Sequence, residues 1–175
     1  MEVGANIGGA TLLLAKLSRF VHAFEPNPRV YAHLQSSVEN TKNVKVYNLG
    51  AGSRSEMASF NLPSPKQSIF GSRFRVTGGR YLDQIEVRMV RLDEVKFRPE
   101  PTCLILDCEG SEVAALEGAR ALFESGAVKT VLVEMHYLAD GSDTIAPTID
   151  FLIRYGFDMD RVMAPDGSPW VSALR

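Results

Sequence analysis

The chain has 175 residues, 45% hydrophobic and 23% charged, proportions that suit one globular domain. Its 19 Lys and Arg against 21 Asp and Glu leave a net charge of −2, so no global basic field draws it to nucleic acid or anionic membrane. No apolar run is long enough for a membrane span, and Glu2 with the glycines after it replaces the basic and apolar regions of a signal peptide.

Short apolar runs alternate with helical patterns, which predicts a mostly parallel α/β sheet over residues 1–175. Met1–Val3 reads as the end of a first strand. So short a stub offers few ladder bonds, and the expectation is a truncated start that lacks most of strand one. Thr11–Ser18 reads as an apolar helix buried on most sides. Phe20–Phe24 is the second strand. Asn27 followed by Pro28 reads as an N-cap with proline at the first helical position, opening a helix to about Asn40. Val44–Asn48 is the third strand.

Ser55–Leu62 and Ile85–Leu92 read as two further strands around a Ser-, Gly- and Pro-rich insertion at 63–84. Lys66, Arg73, Arg75 and Arg80 make that insertion basic, with Asp83 the acid among them. A loop of that length in a globular domain is usually functional or disordered, and its arginines could meet phosphates or carboxylates. Thr102–Asp107 is a buried strand and Ser111–Glu124 a helix. Val128–Met135 is a strand, Ile145–Tyr155 a helix that Gly156 caps, and Phe157–Val162 and Trp170–Leu174 a final antiparallel pair. Cys103 and Cys108 fall in one apolar run. Roughly 16 Å of strand separates them, too far for a disulfide, and free thiols suit a reducing cytoplasm.

In open α/β sheets the turn after strand one cradles the cofactor. Here the turn reads Gly4-Ala5-Asn6-Ile7-Gly8-Gly9, without the G-x-G-x-x-G of dinucleotide sites and without a P-loop lysine. Glu2 at the strand end would repel a pyrophosphate and attract an ammonium group. The N–H groups that open the next helix could take a carboxylate. A zwitterionic ligand such as S-adenosylmethionine answers both. Glu25, at the tip of strand two and about 20 residues after Gly4, stands where an acid binds ribose hydroxyls. Pro26 holds Glu25 extended.

A second group of candidates is acidic. Asp107 and Glu109 follow the Thr102–Asp107 strand in "LDCEGSE". Glu112 falls in the first helical turn, where the helix dipole alone favours an acid. Glu134 and His136 end the next strand in "VEMH" and alternate onto one face.

Together "EVGANIGGATLLLAK", "VHAFEPNP", "ILDCEGSEVAALEGA" and "VLVEMH" resemble the FkbM-type family of S-adenosylmethionine-dependent methyltransferases. The resemblance implies a Rossmann-like class I methyltransferase sandwich, a seven-stranded, mostly parallel sheet with the last strand antiparallel. It implies S-adenosyl-L-methionine as cofactor, held by Glu2, Gly4, Asn6, Gly8, Glu25 and Pro26. It also implies O-methylation of a hydroxyl on a small molecule, sugar, glycolipid or natural product. Glu2 stands where the family usually has Asp, and Ile105 where it often has Lys. Asp107, Glu109, Glu134 and His136 would then ring the acceptor, with His136 or Asp107 as the base. The oxygen-rich cluster could also take Mg²⁺. A cofactor-binding module without turnover remains an alternative. An RNA or protein methyltransferase and an NAD-dependent oxidoreductase are weaker ones. A homo-oligomer is compatible with the sequence.

Overall fold

A computed structural model describes residues 1–63, 81–164 and 167–175. Lys66, Arg73, Arg75 and Arg80 of the basic insertion lie outside the described residues. The chain runs β1 (Glu2–Val3), α1 (Gly9–Leu17), β2 (Val21–Phe24), α2 (Pro28–Ser37), β3 (Val44–Tyr47), β4 (Gly50–Ala51), β5 (Glu56–Pro63) and β6 (Tyr81–Val90). It continues through β7 (Cys103–Leu106), α3 (Glu112–Glu117), α4 (Arg120–Glu124), β8 (Thr130–Glu134), α5 (Ile145–Arg154), β9 (Asp158–Met163) and β10 (Pro169–Leu174).

Seven strands form one sheet in the order β3-β2-β1-β7-β8-β10-β9. The pairs from β3 across to β8 are parallel, and β10 alone runs antiparallel, to β8 and to β9. This is the α/β sheet expected from the alternating runs. The chain reverses its winding between β1 and β7, so the tips of β1, β2 and β7 open a crevice at the switch point.

Alternation along β2 sorts its side chains between two cores. Val21 and Ala23 pack with Leu34 of α2 and with Val38 just beyond it, and half-buried Leu12, Leu14 and Ala15 of α1 join them. Phe24 joins Val3, Leu104 and Leu106 in the larger core, under Leu116, Phe123, Phe151 and Leu152 from α3 to α5. Burial on both faces explains why these strands read as continuous apolar runs. The Asn27 side chain accepts a hydrogen bond from Arg29 N and Pro28 opens α2, as the sequence predicts.

Three expectations need correction. Helix α1 is not buried on most sides: Thr11 is its buried residue, while Leu13 and Leu17 are 57% and 76% exposed. The helix lies on the sheet by one face, and its leucines occur on the others too. The helix expected over Ser111–Glu124 is two short ones with a break at Gly118, which passes close to the carbonyl of Gly52. A Cβ at residue 118 would stand 2.1 Å from that oxygen. Cys108 lies beyond β7, in the turn, rather than in the strand. The strands expected around the insertion are present as β5 and β6. With β4 they make a second sheet, β4-β6-β5, with its own core of Ala58, Phe60, Leu62, Val87 and Met89.

Candidate active site

The turn after β1 is anchored first by its backbone. The N–H groups of Gly4 and Ala5 both donate to the carbonyl of Phe24, at 3.0 and 2.9 Å. Gly4 has φ +90°, and its bare Cα lets the turn lie against the main chain of Asp107. The tips of β1, β2 and β7 are thereby drawn together.

A cleft opens over these tips. Gly4, Asn6, Glu25 and Pro26 line one side, Asp107 and Glu109 another. Gly50, Ala51, Phe60 and Met89 come from the second sheet and close a third side. Sequence reasoning did not assign these last residues to the site. The only trace of them was partial alternation in "FNL" and "EVRMVRL", which shows a buried face but not what it faces.

Glu25 is the best-held acid on the cofactor side. Its Oε1 accepts from Asn27 N at 2.8 Å and its Oε2 from Asn6 N at 3.0 Å. Burial raises its pKa to about 7, against those two hydrogen bonds. Its carboxyl therefore binds the Gly4–Gly9 turn and faces the cleft at once. Glu2 and Gly8 are placed otherwise. Glu2 is buried beneath the turn and accepts a hydrogen bond from the Thr11 hydroxyl of α1. Burial raises its pKa to about 7 as well. It does not line the cleft, so the structure gives no direct contact for a ligand ammonium. Gly8 leaves room for Leu34, whose Cδ1 would be 2.9 Å from a Cβ there. Its place is in the packing of the turn on α2.

The four acceptor-side candidates come together. His136 Nε2 lies 3.6 Å from Glu109 Oε2 and 3.9 Å from Glu134 Oε2. Burial first, then the hydrogen bond and charge of Glu134 and the charge of Glu109, push the Asp107 pKa up to about 8. Burial also raises Glu109. For His136 burial works the other way, but Glu112, Glu109 and Glu134 outweigh it and lift the pKa to about 9. The imidazole is thus held protonated near neutral pH, which argues against the expectation that it is a base.

Glu112 is the residue that sequence reasoning undervalued. The helix-dipole reading treats it as a surface acid, yet it is fully buried, 3.1 Å from His136 Nδ1. The signal was its position five residues after Asp107, on the turn back toward the same cleft.

Asp107, Glu109 and His136 offer ligand atoms that all lie within 4.8 Å of one another. The set does not suit Mg²⁺, which takes oxygen ligands and keeps several waters. One of the three donors is an imidazole nitrogen, and that ring already supplies positive charge among the carboxylates.

A family profile described as the methyltransferase FkbM domain matches residues 2–159. No curated protein matches the chain. Among solved structures, methyltransferase FkbM from Methylobacillus flagellatus KT is similar with a TM-score of 0.68 at 19% identity, over 98% of this chain and 42% of its own. The present chain thus spans less than half the length of that protein. Fibrillarin from Aeropyrum pernix, solved with natively bound S-adenosyl-L-methionine, gives 0.59 at 13% identity over 99% and 64% of the two chains. Magnesium protoporphyrin IX methyltransferase from Synechocystis PCC 6803, with bound SAM, gives 0.54 at 12% over 99% and 68%. At these identities the likeness is one of fold. The profile match covers most of the chain, and the chain belongs to the methyltransferase FkbM domain family.

Proposed function

We propose that the chain transfers a methyl group from S-adenosyl-L-methionine to a hydroxyl of a small molecule, sugar or glycolipid. The observation that carries this reading is the one cleft that Glu25, Asp107 and Glu109 line together. Glu25 would accept hydrogen bonds from the ribose hydroxyls, with Pro26 beside it. Gly4 and Asn6 would bring the turn's backbone close to the amino-acid end. Glu2 would act through the turn that it supports rather than by touching the ligand.

The reaction asks little covalent work of the protein. The acceptor oxygen attacks the methyl carbon and the carbon–sulfur bond breaks. Its electron pair stays on sulfur and leaves a neutral thioether, while the hydroxyl proton passes to a base. Asp107 is that base in this reading. At a ligand-free pKa of about 8 its carboxyl is mostly protonated near neutral pH, and the incoming sulfonium charge would lower that pKa and free the carboxylate to act as base. Glu109, which lines the cleft, would help to hold the acceptor, with His136 and Glu134 behind it, and such alignment supplies much of the rate. Free thiols at Cys103 and Cys108 agree with a cytoplasmic location.

Calorimetric titration with S-adenosylmethionine, S-adenosylhomocysteine and NAD tests the cofactor. Binding of the first two and not of NAD is expected, and tight NAD binding would overturn the reading. Asp107→Asn should keep S-adenosylhomocysteine binding and lower turnover by about 10²–10⁴-fold on a hydroxyl acceptor. Full turnover in that variant removes Asp107 from the base role. Cofactor binding with no turnover on any hydroxyl acceptor would mark a non-catalytic module.

A further inference from the structure

Three contacts converge on Glu112. Its Oε1 accepts hydrogen bonds from the backbone N–H groups of Cys108 and Gly110, both at 3.1 Å. The same oxygen stands 3.1 Å from His136 Nδ1, close but outside hydrogen-bond alignment. Its Oε2 is buried without a hydrogen-bond partner. A fully buried carboxyl placed this way is costly unless a cation stays beside it.

The turn that Glu112 gathers is the one that carries Asp107 and Glu109. It bends through two left-handed residues, Glu109 at φ 54° and Gly110 at φ 95°. The backbone of His136 is fixed from elsewhere. Its N–H donates to the Thr144 hydroxyl at 2.9 Å, and its carbonyl accepts from Thr144 N at 2.9 Å. These bonds set where the residue sits but leave the ring free to turn. Among the described residues, the charged groups that face the ring are Glu112 from α3, Glu109 from the turn after β7, Glu134 from β8 and Asp107 at the end of β7.

We infer that Glu112 is the positioning residue of this site: its buried carboxylate orients the His136 ring and clamps the Cys108–Gly110 turn against it. With Nδ1 against Glu112, the ring presents Nε2 to Glu109 and Glu134. A single imidazolium then gathers acids that would otherwise repel one another at the cleft rim. Neither Glu112 nor His136 is in the cleft lining, so Glu112 acts on the cleft through the Cys108–Gly110 turn and, by way of His136, through Glu109. The inference deepens the methyltransferase reading, but its test needs no methyl transfer.

The test is an NMR titration of the His136 ring, assigned against His22 and His33 with His136→Gln. The unsubstituted protein should show both ring nitrogens protonated at pH 7 and a midpoint at about 9. In Glu112→Gln, which keeps the side chain's shape, the midpoint should fall by about one pH unit or more. Glu112→Asp should restore part of it, and Glu25→Gln, whose carboxyl is bonded to Asn6 and Asn27 instead, should leave it unchanged. An unshifted midpoint in a Glu112→Gln protein with native circular dichroism overturns the inference. A ring that is neutral at pH 7 in the unsubstituted protein overturns it too, and that measurement stands even if the variants fail to fold. The cofactor titrations fail or succeed independently of this result.

Discussion

Gly4 lies directly against the main chain of Asp107: a Cβ at residue 4 would stand 1.7 Å from the carbonyl oxygen of residue 107. The turn proposed to hold the cofactor and the proposed base are therefore held at a fixed spacing by backbone contact. Backbone cannot move aside as a side-chain tip can. Gly4→Ala adds a clash to a left-handed φ and should cost about 3 kcal/mol or more. Urea denaturation of the two proteins measures it, and a loss under about 1 kcal/mol would show that the turn relaxes.

The pH dependence of stability should run opposite to the usual carboxylate case. Glu2 and Glu25 both have folded pKa values of about 7, above their ordinary value of 4.5. Between those limits the folded chain holds more protons than the unfolded one. Ligand-free stability should then be full below about pH 4.5 for these two groups and fall as pH rises to about 7. The slope is of the order of 1 kcal/mol per pH unit and group. Denaturant midpoints from pH 4.5 to 8 read this, and Glu25→Gln should remove its share of the slope. Asp107 and Glu109 add in the same direction.

Met89 reaches into the space that Gly50 leaves. A Cβ at residue 50 would be 2.5 Å from Met89 Sδ and 2.9 Å from its Cε. A thioether can swing away, and the cleft is the open side. Gly50→Ala should therefore keep the fold and weaken S-adenosylhomocysteine binding roughly tenfold, or about 1.4 kcal/mol. The double variant Gly50→Ala/Met89→Ala should recover much of that loss, because the two positions are in contact. Independent, additive effects in calorimetry would contradict the coupling.

Much of this architecture was legible in the residues, for identifiable reasons. Parallel strands buried on both faces leave continuous apolar runs, and Val21–Phe24 and Cys103–Leu106 are two of them. Glu25 could be placed because a strand tip, a following proline and an Asn27 cap fix its surroundings locally. What escaped depends on contacts between segments far apart in sequence. The break at Gly118 lies against Gly52, 66 residues earlier, a contact that no local pattern records. The part of Phe60 and Met89 follows from a second sheet folding over the first. Glu112 and His136 meet across two elements, so the acid looked like an ordinary first-turn residue. Exposure of α1 was missed because leucines on every side of a helix read as burial.

Glu109 stands in a left-handed backbone conformation at φ 54°, where a side chain with a Cβ is strained and glycine is at ease. Strain of this kind costs of the order of 1–3 kcal/mol and tends to sit at working sites. A breeder of hardier variants who selected only for heat resistance would be led to replace Glu109 with glycine. The tougher protein that resulted would lack a carboxylate facing His136. Durability and competence pull in opposite directions at this one residue.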